Sequence, residues 1–145
     1  MRHHARTTIT AAAGLALSTT ALLTSVLLAG CSDNDDSTTT AAAGQDRADL
    51  ENAVRTYLGA FYTGDGDTVW SLVSDRCQQR HTRAQAEREM QYAQTTYGHL
   101  TVRSVSVDQL SGDLARISFD VGVPALARTG SPWVREDGHW HYDAC

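Results

Sequence analysis

The stretch GHLTVRSVSV, residues 98–107, is where the hydrophobic pattern of the chain changes from a helical period to a period of two. Before Gly98, apolar residues recur at intervals of three and four, which is typical of amphipathic helices. From Leu100 onward they alternate with polar residues, which is typical of strands with one buried face. Because this change occurs once, the chain is predicted to belong to the α+β class, with helices first and a sheet after them.

Three helices are predicted ahead of the change in period. The first covers residues 49–63 and the second residues 67–74, each with an apolar face. The third begins at Thr82, which has capping-box spacing, and ends at Gly98. Only DRCQQRH, residues 75–81, connects the second helix to the third.

Four antiparallel strands are predicted after the helices. Their expected positions are 100–107, 115–123, 133–136 and 139–144. The phase of alternation shifts inside the first strand, which indicates a β-bulge near Arg103 and Ser104. The connections are short enough for a meander, so we expect the three helices to pack on one face of a four-stranded antiparallel sheet.

Asp137-Gly138 is a strong two-residue hairpin signal between the last two strands. The direct register places Trp133 opposite Tyr142 and Arg135 opposite Trp140. Two interpretations of this face remain open. It is either core beneath the helices, or one wall of a small apolar pocket. In the second case the candidate ligand-binding residues are Tyr57, Phe61, Trp70, Trp133, Trp140 and Tyr142.

Two stretches resemble the nuclear transport factor 2-like superfamily, which includes ketosteroid isomerases and SnoaL-like polyketide cyclases. AVRTYLGAFYTGDGDTVWSLVSDRC (53–77) resembles its opening helix pair, and WVREDGHWHYDAC (133–145) resembles its closing hairpin. The resemblance covers most of residues 47–145 and implies a cone of helices and sheet. The family has additional short strands where DRCQQRH stands, so a truncated cone is expected.

The resemblance also implies that catalytic residues could lie in the cone. The family's isomerases use an aspartate base and hydrogen-bond donors that line the cone, and the nearest candidates are Asp120, Tyr57 and Tyr62. Asp120 has the parity opposite to Ile117 and Phe119, so it is expected to face away from the helices. No acid–base pair is identified, no cofactor is implied, and an isomerase or cyclase acting on a hydrophobic substrate is the alternative to a non-catalytic role.

A metal-binding module is a second alternative. His139 and His141 are two residues apart on a strand and point to one face, with Glu136 opposite His139. Two ligands do not make a site, so these histidines are interpreted as exposed strand residues and no metal is expected.

The beginning of the chain resembles the signal peptide of a bacterial lipoprotein. MRHHAR is a short positive head, and residues 7–29 are largely apolar but interrupted by Ser and Thr. LAGC, residues 28–31, resembles a lipobox, which implies that Cys31 carries acyl chains such as palmitate and anchors the mature protein on the extracytoplasmic face of the cell membrane. The alternative is an ordinary secretory signal.

The remainder is divided into a tether and a domain. Residues 31–46 contain the lipidated cysteine and SDNDDSTTTAAAGQD, which has no large apolar residue and is predicted to be a disordered linker. Residues 47–145 form the predicted domain. With Cys31 lipidated in an oxidising compartment, Cys77 and Cys145 are predicted to form a disulfide between the helices and the last strand, the alternatives being a free thiol or a metal ligand.

Charge excludes one class of partner. All 12 basic residues are arginines and two precede residue 31, so the chain from there on carries 10 basic and 17 acidic side chains, a net charge of −7. Such a surface repels phosphate backbones, and nucleic-acid binding is not expected. The sequence therefore predicts a lipid-anchored envelope protein that holds a partner protein or a small apolar ligand without catalysis.

Overall fold

The computed structural model describes the backbone of residues 34–145 and the side chains from residue 40 onward. The predicted signal peptide, residues 1–30, and the lipidation site at Cys31 lie outside the described residues. Asp33–Cys145 forms a compact unit of its own. Within residues 34–145, no helix combines the length and the apolar composition needed to cross a membrane.

Helices pack against a four-stranded antiparallel sheet, so the α+β class is confirmed. The helices are α1 (Asn34–Thr63), α2 (Gly66–Ser71), α3 (Asp75–Arg80) and α4 (Arg83–Tyr97). The strands are β1 (Ser104–Ser111), β2 (Leu114–Asp120), β3 (Arg128–Glu136) and β4 (His139–Tyr142), and a short 3-10 helix covers Pro124–Leu126. The strands lie in chain order, β1-β2-β3-β4.

The first helix begins at Asn34, so the prediction of a disordered linker is wrong for residues 34–46. The segment contains no proline, and Ala41, Ala42 and Ala43 have the highest helix propensity of any residue. Extending an existing helix also costs far less than nucleating one. In addition, a carboxylate oxygen of Asp46 lies 3.0 Å from the Arg135 guanidinium of β3, which anchors this part of α1 to the sheet.

The described helices number four, where the sequence predicts three. The additional helix is α3, formed by residues that were predicted to be a connection. Ser74 caps it, because its hydroxyl accepts a hydrogen bond from the backbone N–H of Cys77 at 3.2 Å. The predicted capping box of α4 at Thr82 is present, and Gly98, at φ +73°, ends that helix as expected.

The bulge of β1 lies between Val107 and Gln109, so its predicted position near Arg103 and Ser104 is wrong. Asp108 is the additional residue. Its carboxylate accepts hydrogen bonds from the Ser118 hydroxyl at 2.6 Å and from the Gly130 N–H at 3.3 Å. A charged acceptor that binds donors of β2 and β3 stabilises the bulge there, a contact that alternation along one strand does not reveal.

The predicted hairpin register is confirmed. Trp133 pairs with Tyr142 and Arg135 pairs with Trp140. The turn residues Asp137 and Gly138 have φ of +49° and +81°, the left-handed conformation that a type I′ turn requires.

The core lies between α1 and the sheet. Leu50 and Val54 of α1 are fully buried, as is Ile117 of β2, and Trp133 of β3 is 2% exposed. α1 contacts both edge strands, β1 and β4, while α2 and α4 pack on α1. The helical layer therefore covers one sheet face and leaves a space beyond the C-terminal half of α1.

Candidate functional site

A cleft of about 530 Å³ lies between the helices and the sheet and opens to solvent. Eight of the ten aromatic residues of the chain line it, including all five tyrosines and both phenylalanines. They are Tyr57, Phe61, Tyr62, Trp70, Tyr92, Tyr97, Phe119 and Tyr142. We call this space the aromatic cleft. Its surface is suited to a flat or aliphatic ligand, whose apolar surface would leave water on binding in the cleft.

Tyr57 connects the aromatic cleft to the core. It lies in α1 and is 8% exposed. Its ring stacks on Tyr142 of β4 with centroids 4.6 Å apart and meets Trp133 edge to face at 5.8 Å. Tyr57 and Tyr142 are thus held as a rigid floor, because each ring has a fixed neighbour on the core side.

Tyr57, Tyr142 and Tyr62 line the aromatic cleft with neutral phenols. Burial raises the pKa of Tyr57, and the carboxylate of Glu89 raises it further. Burial also raises the pKa of Tyr142 and of Tyr62, and the nearby Arg128 guanidinium opposes the shift in both. All three phenols therefore remain protonated near neutral pH.

Besides the tyrosines, three ionisable side chains border the aromatic cleft: Glu89 of α4, Arg128 at the start of β3, and His81 just after α3. All three are exposed. Arg128 is held in place by its own loop, because its Nη1 donates to the carbonyl oxygens of Ala125 at 3.1 Å and Ala127 at 3.0 Å. Charge is thus confined to the border of a cleft whose floor is apolar.

The predicted cysteine pair forms one wall of the aromatic cleft. The Sγ atoms of Cys77 and Cys145 are 1.95 Å apart, at bonding distance. The neighbouring Asp143 accepts a hydrogen bond from the Ser74 hydroxyl and lies 2.9 Å from the Arg76 guanidinium. The end of the chain is therefore held to α3 by covalent and polar contacts.

The structure brings together four of the six candidate ligand-binding residues and separates two. Tyr57, Phe61, Trp70 and Tyr142 line the aromatic cleft, and Trp133 and Trp140 do not. Trp133 is buried behind Tyr57. Trp140 lies 4.6 Å from the Arg135 guanidinium, which is paired with Asp46 of α1. The N-terminal extension of α1, absent from the sequence prediction, covers that end of the hairpin.

Sequence reasoning missed the contribution of α4 and the charged border. Gln85, Glu89 and Tyr92 lie with Ala86, Ala93 and Tyr97 on the face of α4 that borders the aromatic cleft. Tyr92 is 68% exposed, an unusual value for a large aromatic side chain. A tyrosine three residues after a glutamate, beside the apolar stripe of a predicted helix, was the available signal.

The structure brings no third ligand to His139 and His141 among the residues it describes. In that part of the chain, the only three metal-binding groups that converge belong to Cys77, Asp143 and Cys145, and two of these are the bonded sulfurs. Glu136, the expected oxygen donor, accepts a hydrogen bond from the Asp75 N–H at 3.0 Å.

Asp120, the candidate base, does not border the aromatic cleft. One of its carboxylate oxygens accepts a hydrogen bond from the Gly122 N–H at 2.6 Å. This bond closes the turn after β2, which is a structural role for the carboxylate.

Comparison with known proteins identifies no relative of this chain. No family model matches the chain, and no curated protein or solved structure matches it.

Proposed function

We propose that this protein is a membrane-anchored lipoprotein of the extracytoplasmic face whose domain binds a small apolar ligand without catalysis. The observation that supports binding is the aromatic cleft, with eight aromatic side chains around about 530 Å³. Soluble domains seldom leave so many large aromatic side chains around an open space unless a ligand covers them.

The anchor rests on the LAGC sequence and on Cys31. Radiolabelled palmitate supplied to cells that express the full chain is expected to appear in the protein, and the variant Cys31→Ser is expected to carry none. Equal labelling of both proteins would refute the anchor and leave the binding proposal intact.

We further propose that the fold is a truncated nuclear transport factor 2-like cone. In this interpretation α1, α2 and α4 take the places of the three expected helices, with α3 inserted between the last two. What supports it is the order of elements, helices followed by a four-stranded meander, with a cleft between the layers. An experimental structure in which the helices move onto the opposite sheet face would refute it.

The binding experiment uses 3-phenylpropan-1-ol, a neutral and water-soluble probe with one aromatic ring. The probe has about ten non-hydrogen atoms, and an affinity of about 0.4 kcal/mol per atom, near the low end for small ligands, gives about 4 kcal/mol or a Kd of about 1 mM. Saturation-transfer NMR with the full chain in dodecyl maltoside suits this range, and the same detergent without protein gives the background.

Two tryptophan variants of one helix test where the probe binds. Ala86 of α4 borders the aromatic cleft, so Ala86→Trp should fill the space and weaken binding by at least about tenfold. Ala84, two residues away, is exposed and does not border it. Ala84→Trp should bind as the wild type does. Equal affinities of the two variants, with unchanged circular dichroism, would refute the assignment of the site.

A further inference from the structure

The ionisable groups on the border of the aromatic cleft indicate the charge of its ligand. Glu89 is the only carboxylate side chain among the described residues that line it, and Arg128 is the only guanidinium. Glu89 lies on the helical side and Arg128 on the sheet side. The cleft therefore presents one negative and one positive side chain from opposite layers.

Neither charge is neutralised by the described part of the chain. The ion pairs found there join Arg76 to Asp143, Arg83 to Asp67 and Glu87, and Arg135 to Asp46. Glu89 and Arg128 take part in none of them. Arg128 uses Nη1 on two backbone carbonyls, which orients the guanidinium and leaves its Nε and Nη2 donors for another acceptor.

Both charges lie close to the same part of the floor. The pKa of Tyr142 is raised first by burial, and beyond that Arg128 lowers it and Glu89 raises it. One phenol of the floor is therefore within electrostatic reach of both side chains.

The aromatic lining favours a cation on the side of Glu89. Ring faces attract ammonium groups, most of all when a ligand displaces water from between them. Tyr92 is 68% exposed and lies three residues after Glu89 on α4, so its ring and the carboxylate are neighbours on the surface of the helix. An ammonium group placed there would contact the Tyr92 ring and the carboxylate together.

We infer that the aromatic cleft binds a small zwitterion with an apolar body, its ammonium group beside Glu89 and the tyrosine rings and its anionic group at Arg128. This inference rests on the proposed binding function and adds the class of ligand. A purely anionic ligand would meet Glu89 and a net charge of −7 from residue 31 onward. A purely cationic ligand would gain nothing from Arg128, and a neutral ligand would gain nothing from either charge.

The test compares ligands that share a phenyl ring and differ in charge. The neutral probe is 3-phenylpropan-1-ol, the cation is phenethylamine and the anion is 3-phenylpropanoate. Two zwitterions cover short and long charge separations, phenylalanine and 4-(2-aminoethyl)benzoate. All are titrated by saturation-transfer NMR against the full chain in dodecyl maltoside.

At least one zwitterion is expected to bind about tenfold more tightly than the alcohol, because each exposed charge contact contributes a factor of about three. The cation and the anion should each bind less tightly than that zwitterion. Glu89→Gln and Arg128→Gln should each reduce the affinity ratio of zwitterion to alcohol by about threefold. The matched controls Glu87→Gln and Arg116→Gln, which change residues outside the cleft lining, should leave the ratio unchanged.

The outcomes separate the two proposals. If the alcohol binds and Ala86→Trp blocks it, but neither zwitterion binds more tightly, the zwitterion inference is overturned and the binding function stands. A cation that binds as tightly as the best zwitterion also overturns the inference, since Arg128 would then contribute nothing. If no probe binds, the binding function itself fails.

Discussion

Removing the bond between Cys77 and Cys145 is expected to cost a large part of the stability of the domain. The two residues are 68 positions apart in the chain. In the chain-entropy model, closing a loop of that length lowers the entropy of the unfolded state enough to stabilise the fold by about 4 kcal/mol. Small domains have a free energy of unfolding of about 5–15 kcal/mol, so the variant Cys145→Ala is expected to be marginal.

Non-covalent contacts of Tyr142 and Asp143 also hold the end of the chain beside the disulfide. The Tyr142 N–H donates to the Leu72 carbonyl at 2.7 Å, and the Asp143 carboxylate stays with Arg76 at 2.9 Å. These contacts keep β4 in place in the native state of the variant. The loss should therefore come from the unfolded state, with little change in the folded structure.

Equilibrium urea unfolding followed by circular dichroism measures the effect. With a slope of about 1.5 kcal/mol/M, a loss of about 4 kcal/mol moves the midpoint down by roughly 2–3 M. Reductant should move the wild type to the midpoint of Cys145→Ala and leave the variant where it is. A shift below about 0.5 M, or two modified cysteines at positions 77 and 145 after labelling of the unreduced, unfolded protein, would refute the reasoning.

Three further predictions concern contacts at the edges of the fold. Burial raises the pKa of Asp143, but hydrogen bonds from Arg76 and Ser74 outweigh it and lower that pKa overall, so its stabilising contribution is present above about pH 4 and lost as pH falls further. Between pH 6 and pH 3, the melting temperature should fall less in Asp143→Asn than in the wild type. Melting temperatures that fall in parallel for the two proteins would contradict this. Gly138 has φ +81°, so Gly138→Ala should lower the free energy of unfolding by about 1–2 kcal/mol, and an unchanged urea midpoint would mean the turn is not left-handed. Asp46→Asn should cost about 0.5–1 kcal/mol through its partly exposed pair with Arg135, and hydrogen exchange should show faster opening of residues 40–46; no change would contradict the anchoring of α1.

The sequence correctly predicted the elements that depend on interactions between residues close together in the chain. The Asp137-Gly138 turn requires a conformation that few residue pairs adopt, and its register followed directly. The capping box at Thr82 satisfies N–H groups with side chains three residues away, so it was visible from the sequence. Both predictions agree with the structure because no distant contact competes with these interactions.

Predictions failed where a distant partner decides the local structure. The segment before residue 47 has a composition typical of a linker, yet it is helical and is tied to β3 through Asp46. The bulge lies at Asp108 instead of near Arg103 and Ser104, and the Asp108 carboxylate binds donors on two neighbouring strands. Neither partner lies near in sequence, so no local pattern contained the information.

The candidate site shows the same division. The apolar face of α1 and the hairpin identified Tyr57, Phe61, Trp70 and Tyr142, because helical and strand periods reveal which side chains share a face. Whether such a face is filled or left open depends on how the layers are spaced. In this structure Trp140 is buried and Tyr92 is exposed. Glu89 and Arg128 border the aromatic cleft from the helical layer and from the sheet, respectively.

By itself, the sequence determined the class of the fold, the hairpin and its register, the caps of α4 and the residues available for an aromatic site. Each of these depends on interactions between residues a few positions apart along the chain or directly paired across a tight turn. Only the tertiary structure decided which aromatic side chains form the core, which line the open cleft, and which two charges border it. These depend on contacts between α1, α4 and β3, and their free energies are set by packing between layers rather than by order along the chain.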